Sequence, residues 1–123
     1  MKELIYRIIY HGAVNSVLRT INRFLSPLLP KSIRISPAGT LKIISDQKKP
    51  IFIKTNQTSY LTKYIYWDGY ENFEYTRIFC SLIKKVNTFV DVGANIGYYS
   101  LLAIREQSSI KVISFEPASG PLH

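Results

Sequence analysis

The residues that could do chemistry lie near the end of the chain. Phe89-Val90-Asp91-Val92 is a short apolar run with an acid inside it, and Gly93-Ala94-Asn95-Ile96-Gly97 follows directly. A glycine-rich turn between a strand and a helix brings backbone N–H groups and the helix N-terminus to the carboxyl edge of a sheet. Nucleotide-like ligands bind there in open α/β sheets. Gly93 permits a tight turn with positive φ. Asn95 is the non-glycine type that best tolerates the left-handed region. Gly97 permits close approach of helix and ligand. Glu116 lies 19 residues after Gly97. That is near the ~20-residue spacing at which an acid accepts hydrogen bonds from ribose hydroxyls.

Two phosphate-binding signatures are missing. The spacing Gly93-x-Asn95-x-Gly97 is not G-x-G-x-x-G, and no Lys follows Gly97 to complete a P-loop. Acids at both strand ends, without a pyrophosphate cradle, suit a ligand with a ribose and an amino-acid moiety. Asp91 or nearby carbonyls can meet the amino group, and the helix N-terminus can meet the carboxylate. S-adenosylmethionine has that shape.

The elements that must position these residues read as one βαβ unit. The run 89–92 is a strand, Tyr98–Arg105 a helix, and Ile110–Phe115 a second apolar strand ending at Glu116-Pro117. Such units build parallel sheets. Upstream, residues 69–86 read as a helix carrying Tyr70, Phe73, Ile78, Phe79, Leu82 and Ile83, with Asp68 as its cap. Tyr64, Tyr66, Trp67 and Tyr70 read as core aromatics, with a pocket lining as the alternative.

The stretch from Phe89 to Ser100, followed by Val112-Ile113-Ser114-Phe115-Glu116-Pro117, resembles the FkbM-type S-adenosylmethionine-dependent methyltransferases. Trp67-x-Gly69-Tyr70-Glu71 is similar to the region upstream of that motif. The resemblance covers about residues 65–117. It implies a class I Rossmann-like α/β fold with S-adenosyl-L-methionine as cofactor. It also implies methyl transfer to a hydroxyl of a sugar, glycolipid or polyketide-like acceptor. By position it implies that Asp91, Gly93, Asn95 and Gly97 contact the methionine part and Glu116 the ribose. Glu71 would close over the cofactor. No catalytic residue is assigned. Only the first βαβ unit of that fold is visible before Ala118–His123. The expectation is therefore an incomplete domain, inactive alone, with an open sheet edge free to self-associate.

The remaining sequence carries the charge. Of 16 Lys and Arg against 8 Asp and Glu, residues 1–60 hold ten and two, and residues 61–123 hold six of each. The whole excess of +8 lies outside the loop segment. Residues 1–30 read as an amphipathic helix, with Leu4, Ile8, Val14, Val17, Leu18, Ile21, Phe24, Leu25 and Leu28 at mostly three- and four-residue steps. Gly12 interrupts it and Pro27 and Pro30 end it. Packing of the helix onto the rest of the protein is the first expectation. A peripheral contact with an anionic membrane is the second. Residues 31–66 read as short β-strands: Ile33 and Ile35, Leu41–Ser45, and Ile51–Lys54, separated by Pro37-Ala38-Gly39 and Asp46–Pro50. Residues 67–123 begin the nucleotide-binding domain.

Several classes are excluded. Aromatic content of 13% and apolar content of 46% are too high for a disordered tail. One cysteine, Cys80, makes no internal disulfide and fits a reducing, cytoplasmic setting. With only His11 and His123, no metal site is expected. Lys42, Lys48, Lys49 and Lys54 read as a solvated surface, so no nucleic-acid partner is expected. The competing reading is a small basic membrane-surface or interaction module that retains a vestigial nucleotide-binding βαβ unit.

Overall fold

The computed structural model describes residues 2–43 and 49–117. Among them the chain is mixed α/β, with five α-helices and two separate two-stranded sheets. The end of the first interstrand run (Ile44, Ser45), part of the following turn (Asp46, Gln47, Lys48) and Ala118–His123 lie outside the described residues.

Strands β1 (Gly39–Ile43) and β2 (Ile51–Thr55) form an antiparallel hairpin, with Leu41 opposite Ile53 and Ile43 opposite Ile51. Alternation decides its faces. Leu41, Ile43, Ile51 and Ile53 are buried, whereas Lys42, Phe52 and Lys54 point to solvent. The expected strand at Ile33 and Ile35 does not form. Lys31–Ile33 is a short 3-10 turn, and Ser36–Ala38 leads into β1 without regular structure. The strand reading also ends early. Residues Tyr60–Asp68 are helix α3, begun by Ser59, whose hydroxyl accepts the Thr62 N–H at 3.4 Å.

Asp68 does not cap the next helix. It is the last residue of α3 and forms an ion pair with Arg34 at 3.1 Å. Glycine supplies the break after it, for Gly69 has φ +86. The expected helix over 69–86 is split. A 3-10 turn at Tyr70–Asn72 is followed by α4 (Thr76–Leu82) and a further 3-10 turn at Ile83–Lys85.

The βαβ expectation is met. Strand β3 (Thr88–Val92), helix α5 (Tyr98–Glu106) and strand β4 (Lys111–Phe115) follow in order. The two strands pair in parallel, from Thr88 beside Lys111 to Val92 beside Phe115. Helix α5 joins both sheets. Its Leu102 and Tyr98 enter the main core with Ile43, Ile51, Ile53, Ile65 and Phe73. Its Ala103 packs with Ile83 and Ile110 beneath β3 and β4. Tyr98 also ties α4 to the turn before it: its hydroxyl lies 2.9 Å from Thr76 Oγ1 and donates to the Tyr70 carbonyl at 3.1 Å.

The amphipathic segment forms two helices, α1 (Lys2–Ile9) and α2 (Gly12–Leu25), broken ahead of Gly12. The second helix packs on the protein as expected, but through its polar side. The buried residues of α2 are Asn15, Arg19 and Asn22, while Val14, Val17, Ile21, Phe24 and Leu25 face outward. The reason is hydrogen bonding. Residues 35–38 lie outside any strand and β1 has a second edge that no strand covers, and these three polar side chains bond backbone groups there. Asn15 Oδ1 accepts from Ala38 N at 2.8 Å, and its Nδ2 donates to Ser36 O at 3.1 Å. Asn22 Oδ1 accepts from Ile35 N at 3.0 Å. Arg19 donates to the carbonyls of Ala38 and Thr40, each at 3.1 Å. Two glycines let the backbones meet: a Cβ on Gly39, whose φ is +83, would lie 2.9 Å from Gly12 Cα.

Candidate functional site

The β3–α5 loop takes the shape its residue types demand. Gly93 has φ +77, Asn95 φ +52 and Gly97 φ +75. Three left-handed residues in five curl the loop back over the end of β4. There the Phe115 carbonyl accepts from Gly93 N at 2.8 Å and from Ala94 N at 3.0 Å. The Glu116 carboxylate accepts from Asn95 N at 2.6 Å. Gly97 is the N-cap of α5 and provides no side-chain cap. The first i to i−4 bond of the helix runs from Leu101 N to Gly97 O. The N–H groups of Tyr98, Tyr99 and Ser100 therefore have no carbonyl within the helix to bond.

Beside this loop lies a cavity of about 500 Å³. One wall is the loop and start of α5, with Asp91, Gly93, Asn95, Tyr98 and Tyr99. The other is the end of β2 and the turn into α3, with Thr55, Asn56, Thr58 and Ser59. Phe73 and Glu74 close one side. The polar groups on the far wall are arranged by local bonds: Asn56 Oδ1 accepts from Thr58 N at 3.1 Å and from its hydroxyl at 2.7 Å.

Asp91 is buried at 8% exposure yet still lines the cavity. Its Oδ2 accepts from the Ser100 hydroxyl at 2.5 Å, and that hydroxyl lies 2.7 Å from Ser114 Oγ. Ser100 thus fixes the carboxylate between β3, α5 and β4. Burial raises the Tyr98 hydroxyl well above the ordinary tyrosine range. It raises Tyr99 too, partly offset there by Thr76. Both stay protonated donors near neutral pH.

The six residues singled out from sequence separate into three groups. Asp91, Gly93 and Asn95 line the cavity together. Gly97 and Glu116 belong to the same loop assembly but do not line the cavity; Glu116 grips the loop through Asn95 N–H. Glu71 lies apart, exposed in the turn after α3, where it accepts from the Tyr70 hydroxyl at 3.1 Å. The acid of that segment that lines the cavity is Glu74, held in the left-handed region at φ +38. The helix expected over 69–86 would have placed both acids in regular turns, so no sequence signal separated them. Ser100 and the hairpin-end residues Thr55, Asn56, Thr58 and Ser59 were also missed. Ser59, a favoured N-cap residue directly ahead of Tyr60 and Leu61, is a readable helix-start signal, which would have placed that wall.

The lining is acidic and hydroxyl-rich. Glu74 and Asp91 supply two carboxylates, and no Lys or Arg lines the cavity among the described residues. Such a site favours a cationic or hydroxyl-bearing ligand over a phosphate. No family model, curated protein or solved structure matches the chain.

Proposed function

We propose that the cavity and the β3–α5 loop bind S-adenosyl-L-methionine, in the service of methyl transfer to a hydroxyl of a sugar, glycolipid or polyketide-like acceptor. The parallel βαβ unit is the start of a class I Rossmann-like fold in this reading. The observation that carries it is the pairing of two cavity carboxylates, Asp91 and Glu74, with the uncapped N-terminus of α5. An amino acid needs an acceptor for its ammonium and a donor set for its carboxylate, and these stand side by side here. The carboxylate is met by α5 N–H groups and the positive end of its dipole. Asp91, oriented by Ser100, takes the ammonium. Glu116 takes the ribose hydroxyls, giving up its bond to Asn95 N–H. Bound there, the cofactor supplies an electrophilic methyl group. A dinucleotide fits less well, since among the described residues no cation lines the cavity to meet its phosphates.

Isothermal titration with S-adenosylmethionine, with its demethylated product and with ATP tests the reading. Saturable heat is expected with the first two and none with ATP. Glu116→Ala and Gly97→Asn should each remove it. Asn tolerates the φ of +75 at position 97, and circular dichroism checks that the fold persists. Heat retained in both variants would sink the site assignment.

A further inference from the structure

We propose that the outward face of α1 and α2 lies flat on an anionic lipid surface. The two helices turn an apolar face to solvent that no packing requirement explains. No residue of α1 is buried. Leu4, Ile5, Ile8, Val17, Ile21, Phe24 and, just after α2, Leu28 are all exposed, Phe24 at 84% and Leu28 at 85%. At about 100° per residue, Val17, Ile21 and Phe24 fall on the side of α2 away from Asn15, Arg19 and Asn22, with Val14 and Leu25 at its margins.

Those three buried side chains fix the rotation of the helix. Each is bonded to a backbone group between Ile35 and Thr40. Turning the apolar face inward would break all of these bonds and leave the carbonyls of Ser36 and Ala38 without donors. The exposure of Val17, Ile21 and Phe24 is therefore built in. The polar face, which an isolated amphipathic helix would leave in water, is here the attachment to the protein.

Charge selects the occupant. Lys2, Arg7 and Lys31 are exposed beside this face, whereas Arg23 stacks on Tyr66 at the protein side, and Glu3 is the sole acid from residue 2 to residue 33. A strongly amphipathic helix pair of low mean hydropathy with basic flanks is the pattern of segments that lie in a membrane interface. Long Lys and Arg side chains reach phosphate headgroups while the apolar face enters the acyl boundary. A second copy fits less well, because two-fold pairing of this face would bring two basic rims together. Among the described residues no helix is long and apolar enough to cross a membrane, so the contact is one of lying on the surface.

Co-sedimentation of the full chain with phosphatidylcholine vesicles, with and without phosphatidylserine, tests this. Pelleting is expected with the anionic vesicles and should weaken as salt rises. Replacing Val17, Ile21 and Phe24 together by Ser should abolish it while the circular dichroism and unfolding midpoint stay near wild type, since all three are exposed. Lys2→Gln with Arg7→Gln should weaken it about 25-fold, at about fivefold per charge near the surface. Failure to pellet with anionic vesicles, or pelleting that survives the triple replacement, overturns the proposal. A dimer seen by light scattering and abolished by the triple replacement would assign the face to a second copy and also overturn it.

Discussion

Arg19→Leu should destabilise the protein although it makes α2 more apolar. Arg19 is 7% exposed and donates to the carbonyls of Ala38 and Thr40 and, at 3.3 Å, to Asn15 Oδ1. A hydrogen bond from a charged donor contributes about 1.5–3 kcal/mol, and a buried acceptor left unpaired costs about 1–3 kcal/mol. Ala38 is 3% exposed, so its carbonyl bears the full penalty. Thr40 is exposed, and water replaces the lost donor there. The buried leucine recovers part of the loss. The expected cost is about 2–4 kcal/mol. The matched control is Val17→Ser on the opposite face, where a surface change stays within about 0.5 kcal/mol. Urea unfolding followed by far-UV circular dichroism reads both as shifts in midpoint at constant slope. Ordinary amphipathic packing predicts the reverse ranking. If Val17→Ser costs more than Arg19→Leu, the polar-face docking of α2 is wrong.

Two further outcomes follow from the packing. Gly39→Ala must strain a φ of +83 and push its Cβ against Gly12 Cα at 2.9 Å, whereas Gly93→Ala at φ +77 meets nothing within 4 Å. Gly93→Ala should cost the conformational term alone, about 1–2 kcal/mol, and Gly39→Ala clearly more by the same unfolding assay; equal costs would refute the close crossing of the two backbones. Burial raises the Tyr98 hydroxyl above its unfolded value of 10.0. Its share of stability is thus present below pH 10 and declines as pH rises from there toward the folded-state value, because only the unfolded chain releases the proton readily. Tyr98→Phe should flatten that alkaline decline. It should also cost about 1–3 kcal/mol near neutrality by leaving the Thr76 hydroxyl and Tyr70 carbonyl unpaired, and an unchanged alkaline slope would refute the assignment.

Local pattern determined much of this protein. The alternation of Leu41, Ile43, Ile51 and Ile53 with Lys42, Phe52 and Lys54 marks a hairpin with one buried face, and the structure keeps it. The order strand, Gly93–Gly97 loop, helix, strand is equally local. Its left-handed positions follow from Gly and Asn side chains that tolerate them, so the loop from Gly93 to Gly97 could be placed at the carboxyl end of its strand before any contact was known.

Tertiary structure decided the rest. Helical periodicity shows that residues 12–25 have an apolar side and a polar side, but not which of them faces the protein. That choice rested on backbone groups of the segment leading into β1 and along its uncovered edge, far along the chain from Asn15, Arg19 and Asn22, and hydrogen-bond demand outweighed apolar burial. The same holds at the cavity. Glu71 and Glu74 are indistinguishable as acids in one short segment. Only the break after Gly69, the delayed start of α4 and the left-handed backbone at Glu74 send one carboxylate to the cavity and leave the other in solvent.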